Sequence, residues 1–213
     1  EVCLATVTGF AVVSRLVGDP GYAGVAKWTA AGVLGSGHAV LAARLDRCVG
    51  SFARDAAQPA FAVPLHHHDA ALETAARDAL LASSVARDVQ LAWNAEAASA
   101  GRWTDRAATT SEVLVHPRTG AAFVSVHALV EHGCGDPQAN VWGLFRVQLD
   151  GSLAPVQLRA LGDIETIDAL LDVDGDGQLD ILGRPWLGLD RVLARPDGTV
   201  VDQLALPLFG CPC

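Results

Sequence analysis

Asp172, Asp174 and Asp176 stand at alternate positions of the chain, with Gly175 and Gly177 set among them and Asp180 following. Alternate carboxylates on a tightly curved loop can turn toward one point, and a hard divalent cation gathers roughly six to eight oxygen ligands. Gly177 falls where such a loop must turn sharply, and Gln178 offers its backbone carbonyl. Asp180 then supplies a closing carboxylate, directly or through water. Without a cation these four carboxylates repel one another, so the loop is expected to owe its order to an ion. The donor chemistry points to Ca2+ with Asp172, Asp174, Asp176, Gln178 and Asp180 as the metal set. A solvated Asp-Gly turn holding no ion is the plainer alternative.

An EF-hand does not fit. With Asp172 as first residue the twelfth is Gly183, where that loop needs a bidentate Glu, and Gly183-Arg184-Pro185 forbids the exiting helix. A dockerin needs the same helix. What remains is a shorter loop between two strands. The run Ile167-Asp168-Ala169-Leu170-Leu171-Asp172-Val173-Asp174-Gly175-Asp176-Gly177-Gln178-Leu179-Asp180-Ile181-Leu182 resembles the FG-GAP/VCBS class of calcium-loop repeats. That class is found in blades of integrin-type β-propellers and in many secreted bacterial proteins. The resemblance covers residues 167–182 and their flanks only. It implies that the spaced aspartates hold calcium at a blade edge and that the apolar residues after them form a strand. Gly35 and Gly37 before residues 39–42 repeat the spacing of Gly175 and Gly177 without the carboxylates. They read either as a degenerate copy or as a coincidental turn.

The elements expected to position the loop are hairpins. Residues 112–116 and 121–130 flank Pro117-Arg118-Thr119-Gly120, residues 141–149 and 152–158 flank Asp150-Gly151, and residues 190–195 and 199–206 flank Pro196-Asp197-Gly198. Each is apolar chain broken by turn chemistry, as in an antiparallel meander. Residues 4–17 suit one or two further strands. Asp69 is placed to cap a single helix over residues 70–97. Two stripes, one through Leu72, Ala76, Leu80 (with Ala79) and Ser83 and one through Leu81, Val85, Val89 and Trp93, give it a broad apolar face to lay on a sheet. The expected fold is therefore α+β and mainly β, with antiparallel hairpin sheets resembling β-propeller blades and one long helix packed on them. Residues 1–213 read as a single domain: a strand-rich part over 1–65, a helical insert over 66–100, and a hairpin meander carrying the calcium loop over 101–213.

Other polar clusters carry weaker chemistry. His66-His67-His68-Asp69 opens the helix, but adjacent side chains splay apart and rarely share a metal. His127, Glu131, His132 and Cys134 form a second group, in which His127 shares a strand face with Phe123, Ser125 and Leu129. There is no H-E-x-x-H, no G-x-S-x-G, no phosphate cradle around Gly35 and Gly37, and no visible pair of nucleophile and base. A binding role is favoured over catalysis, with a secreted metal-dependent hydrolase as a lesser alternative. Cys3, Cys48, Cys134, Cys211 and Cys213 read as disulfide candidates that tie down the ends. Cys3 with Cys48, and Cys134 with Cys211 or Cys213, is the preferred pairing. Zinc on Cys211, Cys213, Cys134 and His132 is the rival reading. Trp186 could face a partner but is expected in the core.

The apolar fraction of 51% against 18% charged residues excludes a disordered chain. A net charge of -9 without a basic stripe argues against nucleic acid, and no apolar run is long enough for a membrane span. The chain contains no Met and begins at Glu1, which predicts a removed signal peptide, or equally a trimmed chain. A secreted or periplasmic location follows from that reading. The abundance of Ala, with Lys27 the single lysine among many arginines, suggests a GC-rich bacterial source. The expected role is a secreted calcium-binding domain, calcium being structural, that binds a protein or cell-surface ligand. Self-association into an extracellular assembly is the alternative.

Overall fold

The structure, a computed structural model, describes residues 7–13, 15–17, 27–29, 40–45, 62–96, 101–130, 138–162, 164–185 and 191–204. Among the described residues it is mainly β, with antiparallel sheets and two α-helices. The N-terminal part contributes strands β1 (Val7–Val13), β2 (Arg15–Val17), β3 (Lys27–Thr29) and β4 (Val40–Leu45). β1 pairs with β4 and β2 with β3, both antiparallel. Gly35 and Gly37 lie outside the described residues, as do Trp186 and the cysteines at 3, 48, 134, 211 and 213.

The larger sheet is an antiparallel meander of five strands: β5 (Leu65–His67), β6 (Ala108–Val115), β7 (Ala122–Val130), β8 (Ala139–Val147) and β9 (Leu153–Ala160). A second meander has four: β10 (Thr166–Leu171), β11 (Asp180–Arg184), β12 (Arg191–Ala194) and β13 (Val200–Leu204). The expected hairpins form at the expected turns. Both sheets are open, and no closed barrel or ring of blades occurs among the described residues.

Sequence periodicity decides which face each strand presents. On β7, Val124, Val126, Ala128 and Val130 point to one side and join Val113, Val141 and Phe145 in a core beneath the helices. Leu114, Phe123, Trp142 and Leu144 point to the other side and pack with Leu170, Ile181, Val192 and Ala194 of the second sheet. The five-stranded sheet is thus the middle layer. β8 is covered on both faces and is buried from Ala139 through Phe145, so its sequence reads as an almost continuous apolar run. A Cβ at Gly143 would lie 3.0 Å from Leu80 Cδ1 and from Leu158 Cδ2, so glycine there lets the helical layer sit close.

The helical layer differs from expectation in one respect: it is two helices, α1 (Ala70–Leu81) and α2 (Ser84–Glu96). Asp69 caps α1 as expected, accepting from the Ala71 and Leu72 amides, while Glu73 accepts in return from the Asp69 amide. The break falls at Ala82 and Ser83. Ser83 Oγ accepts from the Ala86 amide at 3.2 Å and starts a new helix, and the Ser83 amide turns to the Leu80 carbonyl. A serine inside a helical pattern can bond locally to the backbone and so offer the chain an alternative to continuing. Two shorter helices can each follow the twisted sheet below them. α1 buries Ala76 and Leu80, and α2 buries Ala86 and Trp93. The indole N–H groups of Trp93 and Trp103 donate to the Gly101 and Ala86 carbonyls, pinning the exit of α2.

Candidate metal centre

The acidic loop links β10 to β11, the first hairpin of the four-stranded sheet. Its glycines have positive φ, +86° at Gly175 and +88° at Gly177, conformations that a side chain would strain. These turns wrap the chain around Asp172. Its Oδ1 accepts from the Gly175 amide at 2.7 Å and its Oδ2 from the Gly177 amide at 3.1 Å. Asp174 Oδ1 accepts from the Asp176 amide, and Asp176 accepts from both the main-chain and side-chain nitrogens of Gln178.

Asp172, Asp174 and Asp176 each bring a carboxylate oxygen within 4.8 Å of the others, so the three together can hold a metal ion. Asp172 is buried while Asp174 and Asp176 are exposed, giving a site with a fixed base and an open side. Asp180 does not belong to that group. It is the first residue of β11, and its Oδ2 accepts from the Val173 amide at 3.3 Å. Gln178 turns its side chain back onto Asp176.

The donor set suits a hard cation. All of its side-chain ligands are carboxylates, and Asp174 and Asp176 keep unused lone pairs toward solvent. Two features oppose it: Asp172 Oδ2 already bears the Arg118 guanidinium and His116 Nε2, and Arg195 Nη2 lies 3.7 Å from Asp174 Oδ2. A cation reaching Asp172 must use Oδ1 or displace Arg118.

His116 and Arg118 are the site residues that sequence reasoning missed. Both belong to the β6–β7 connection of the other sheet. His116 is fully buried, and its Nδ1 takes the amides of Arg118 and Thr119 at 3.3 and 3.2 Å. Nδ1 therefore carries the lone pair, and the ring proton sits on Nε2, which donates to Asp172 at 2.9 Å. The Asp172 backbone also bridges Ala62, through Ala62 N to Asp172 O at 2.8 Å and Asp172 N to Ala62 O at 2.9 Å. The base of the loop is where three separate pieces of chain meet.

The carboxyls divide electrostatically. Burial alone would raise Asp172, but hydrogen bonds from His116, Arg118, Gly175 and Gly177 outweigh it and hold the group below the usual carboxylate range. Asp180 moves the other way. Burial raises it, the neighbouring charges of Asp174 and Asp176 add to the rise, and the Val173 amide and Arg195 only partly offset them. A carboxyl raised in the fold loses stability as it ionises with rising pH, which is the penalty a bound cation would relieve.

The remaining sequence candidates do not assemble. His66 Nδ1 lies 2.9 Å from Glu112 Oε2, whereas His68 Nδ1 lies 2.8 Å from Glu73 Oε1, so the adjacent histidines go to different partners. His67 is exposed. His127 sits on the predicted strand face and bonds Asn140 rather than a metal group. Glu131, His132 and Cys134 lie outside the described residues, and with them the zinc alternative.

The chain is thus an antiparallel, mainly β, α+β protein with an acidic loop able to hold a cation. The chain matches no protein-family model, no curated protein and no solved structure in the three comparisons made.

Proposed function

We propose that this is a secreted, calcium-binding, β-rich domain in which the ion is structural and the role is binding. The observation that carries the reading is the convergence of Asp172, Asp174 and Asp176 on a loop whose buried base, Asp172, is held by the facing sheet through His116 and Arg118. An ion bound there stiffens the β10–β11 loop and with it the junction between the two sheets. A rigid junction preserves the outer surface through which a protein or cell-surface ligand, or another copy of the chain, is recognised. Among the described residues no helix is long and apolar enough to cross a membrane.

Calcium is favoured over magnesium because the loop offers flexible carboxylates and an open side, whereas magnesium demands a small, near-octahedral shell. Arg118 reduces the net negative charge of the site, so the affinity belongs to the weak class typical of extracellular modules, with Kd on the order of 10⁻⁴–10⁻³ M. Extracellular calcium fills such a site; cytosolic calcium does not. Isothermal titration of the chelator-treated chain is the test. One calcium per chain is expected, bound more tightly than magnesium. A flat calcium titration at millimolar concentration would remove the reading.

A further inference from the structure

The face of the five-stranded sheet turned toward the second sheet contains a polar cleft of about 190 Å³, lined by Thr110, Ser111, Glu112, Ser125, His127 and Ile167. Register explains its floor. Thr110 stands opposite His127 and Glu112 opposite Ser125, so four polar side chains form a square on one face of β6 and β7. Ile167 of β10 overhangs from the facing sheet. β5 pairs only with Val113–Val115, so it stops short of Glu112 and Thr110 and leaves that corner as the mouth.

The histidine at the back of this cleft is held in one tautomer. Asn140 is buried, and its Nδ2 donates to the Ile164 carbonyl at 2.8 Å, which fixes the amide and aims Oδ1 at His127 Nε2, 2.7 Å away. Nε2 must therefore carry the ring proton, and Nδ1 is left as an acceptor with no partner among the described residues. Burial holds His127 below the usual imidazole range, and the Asn140 bond offsets that only in part. Glu112 adds a carboxylate, of which one oxygen meets His66 and the other has no partner among the described residues. Ser125 Oγ already accepts the Trp142 indole N–H at 3.0 Å and makes no bond to His127, so the pair is not a nucleophile and base. Among the described residues no Arg or Lys lines the cleft, and none of the lining groups is placed to hold an anion.

We propose that this cleft is a binding site for a small primary ammonium group, whose three N–H donors are taken by Glu112, His127 Nδ1 and a hydroxyl of Thr110 or Ser125, with a short apolar stem against Ile167. The site is separate from the acidic loop and does not depend on it.

The test uses the full chain and three probes of similar size: n-propylammonium, n-propanol and tetramethylammonium chloride. The alcohol lacks the charge and tetramethylammonium lacks the N–H donors. Long-range proton–nitrogen correlation spectra report on the two His127 ring nitrogens. Propylammonium should give a saturable shift centred on Nδ1, and the other two probes should bind on the order of tenfold more weakly, the size of a charge-assisted hydrogen bond. Glu112→Gln should weaken propylammonium by a similar factor. Equal binding of n-propanol or tetramethylammonium, no saturation by any probe, or unchanged affinity in Glu112→Gln overturns the proposal. Should that variant lose its fold, the three-probe comparison on the unaltered chain decides alone.

Discussion

Asp172→Ala is expected to abolish calcium binding and to destabilise the chain by about 3–5 kcal/mol even with calcium removed, because it strips partners from buried polar groups. His116 Nε2, at 0% side-chain exposure, would lose its acceptor, and the Gly175 and Gly177 amides would lose theirs. At roughly 2–4 °C per kcal/mol for a domain of this size, the midpoint should fall by about 6–20 °C. Asp174→Ala is the contrast. That residue is exposed, and beyond the loop its carboxylate meets only the Arg195 guanidinium, in a solvent-exposed pair at 3.7 Å worth little, so the variant should lose calcium yet keep nearly its calcium-free stability. Urea unfolding of both variants in chelator separates the two roles. Equal calcium-free stabilities would mean that Asp172 is not the junction the structure makes it. Because the folded Asp172 carboxyl is held low, its contribution is present above the ordinary carboxylate range and fades as pH falls through its folded value.

Arg118→Met should have the opposite effect on the ion. The guanidinium lies on Asp172 Oδ2 and within 3.2 Å of where a Gly175 Cβ would stand, so it occupies the flank of the loop that a cation would approach. Removing a fixed positive charge from that position should tighten calcium about tenfold or more, equivalent to ~1.4 kcal/mol. The Arg118 side chain is 49% exposed, so the calcium-free chain should lose little stability. Isothermal titration reads the change. Calcium binding that is unchanged or weaker in Arg118→Met would show that the guanidinium supports the site instead of competing for it.

The parts of this fold that were legible in the sequence are those written in local chemistry. The Asp150-Gly151 and Pro196-Asp197-Gly198 turns, the Asp69 cap and the alternation along β7 each depend on residues a few positions apart. The carboxylates of the loop were legible for the same reason. The split between α1 and α2 was not, because Ser83 continues an apolar stripe and only its bond to the Ala86 amide marks it as a cap. His116 and Arg118 meet Asp172 across 56 and 54 residues, a pairing that no local spacing encodes. A histidine ending the apolar run Val113-Leu114-Val115 was the one available hint. The square of Thr110, Glu112, Ser125 and His127 likewise exists only through the register of β6 with β7.

Thermal unfolding in saturating calcium against chelator, with Asp174→Ala/Asp176→Ala as the control, decides whether the acidic loop holds an ion that stabilises the fold. Calcium at about one hundred times its Kd should stabilise the folded chain by about 2.7 kcal/mol and raise its midpoint by roughly 5–11 °C, with no response in the double variant. Coincident midpoints for the unaltered chain in calcium and in chelator would mean that the loop holds no stabilising calcium.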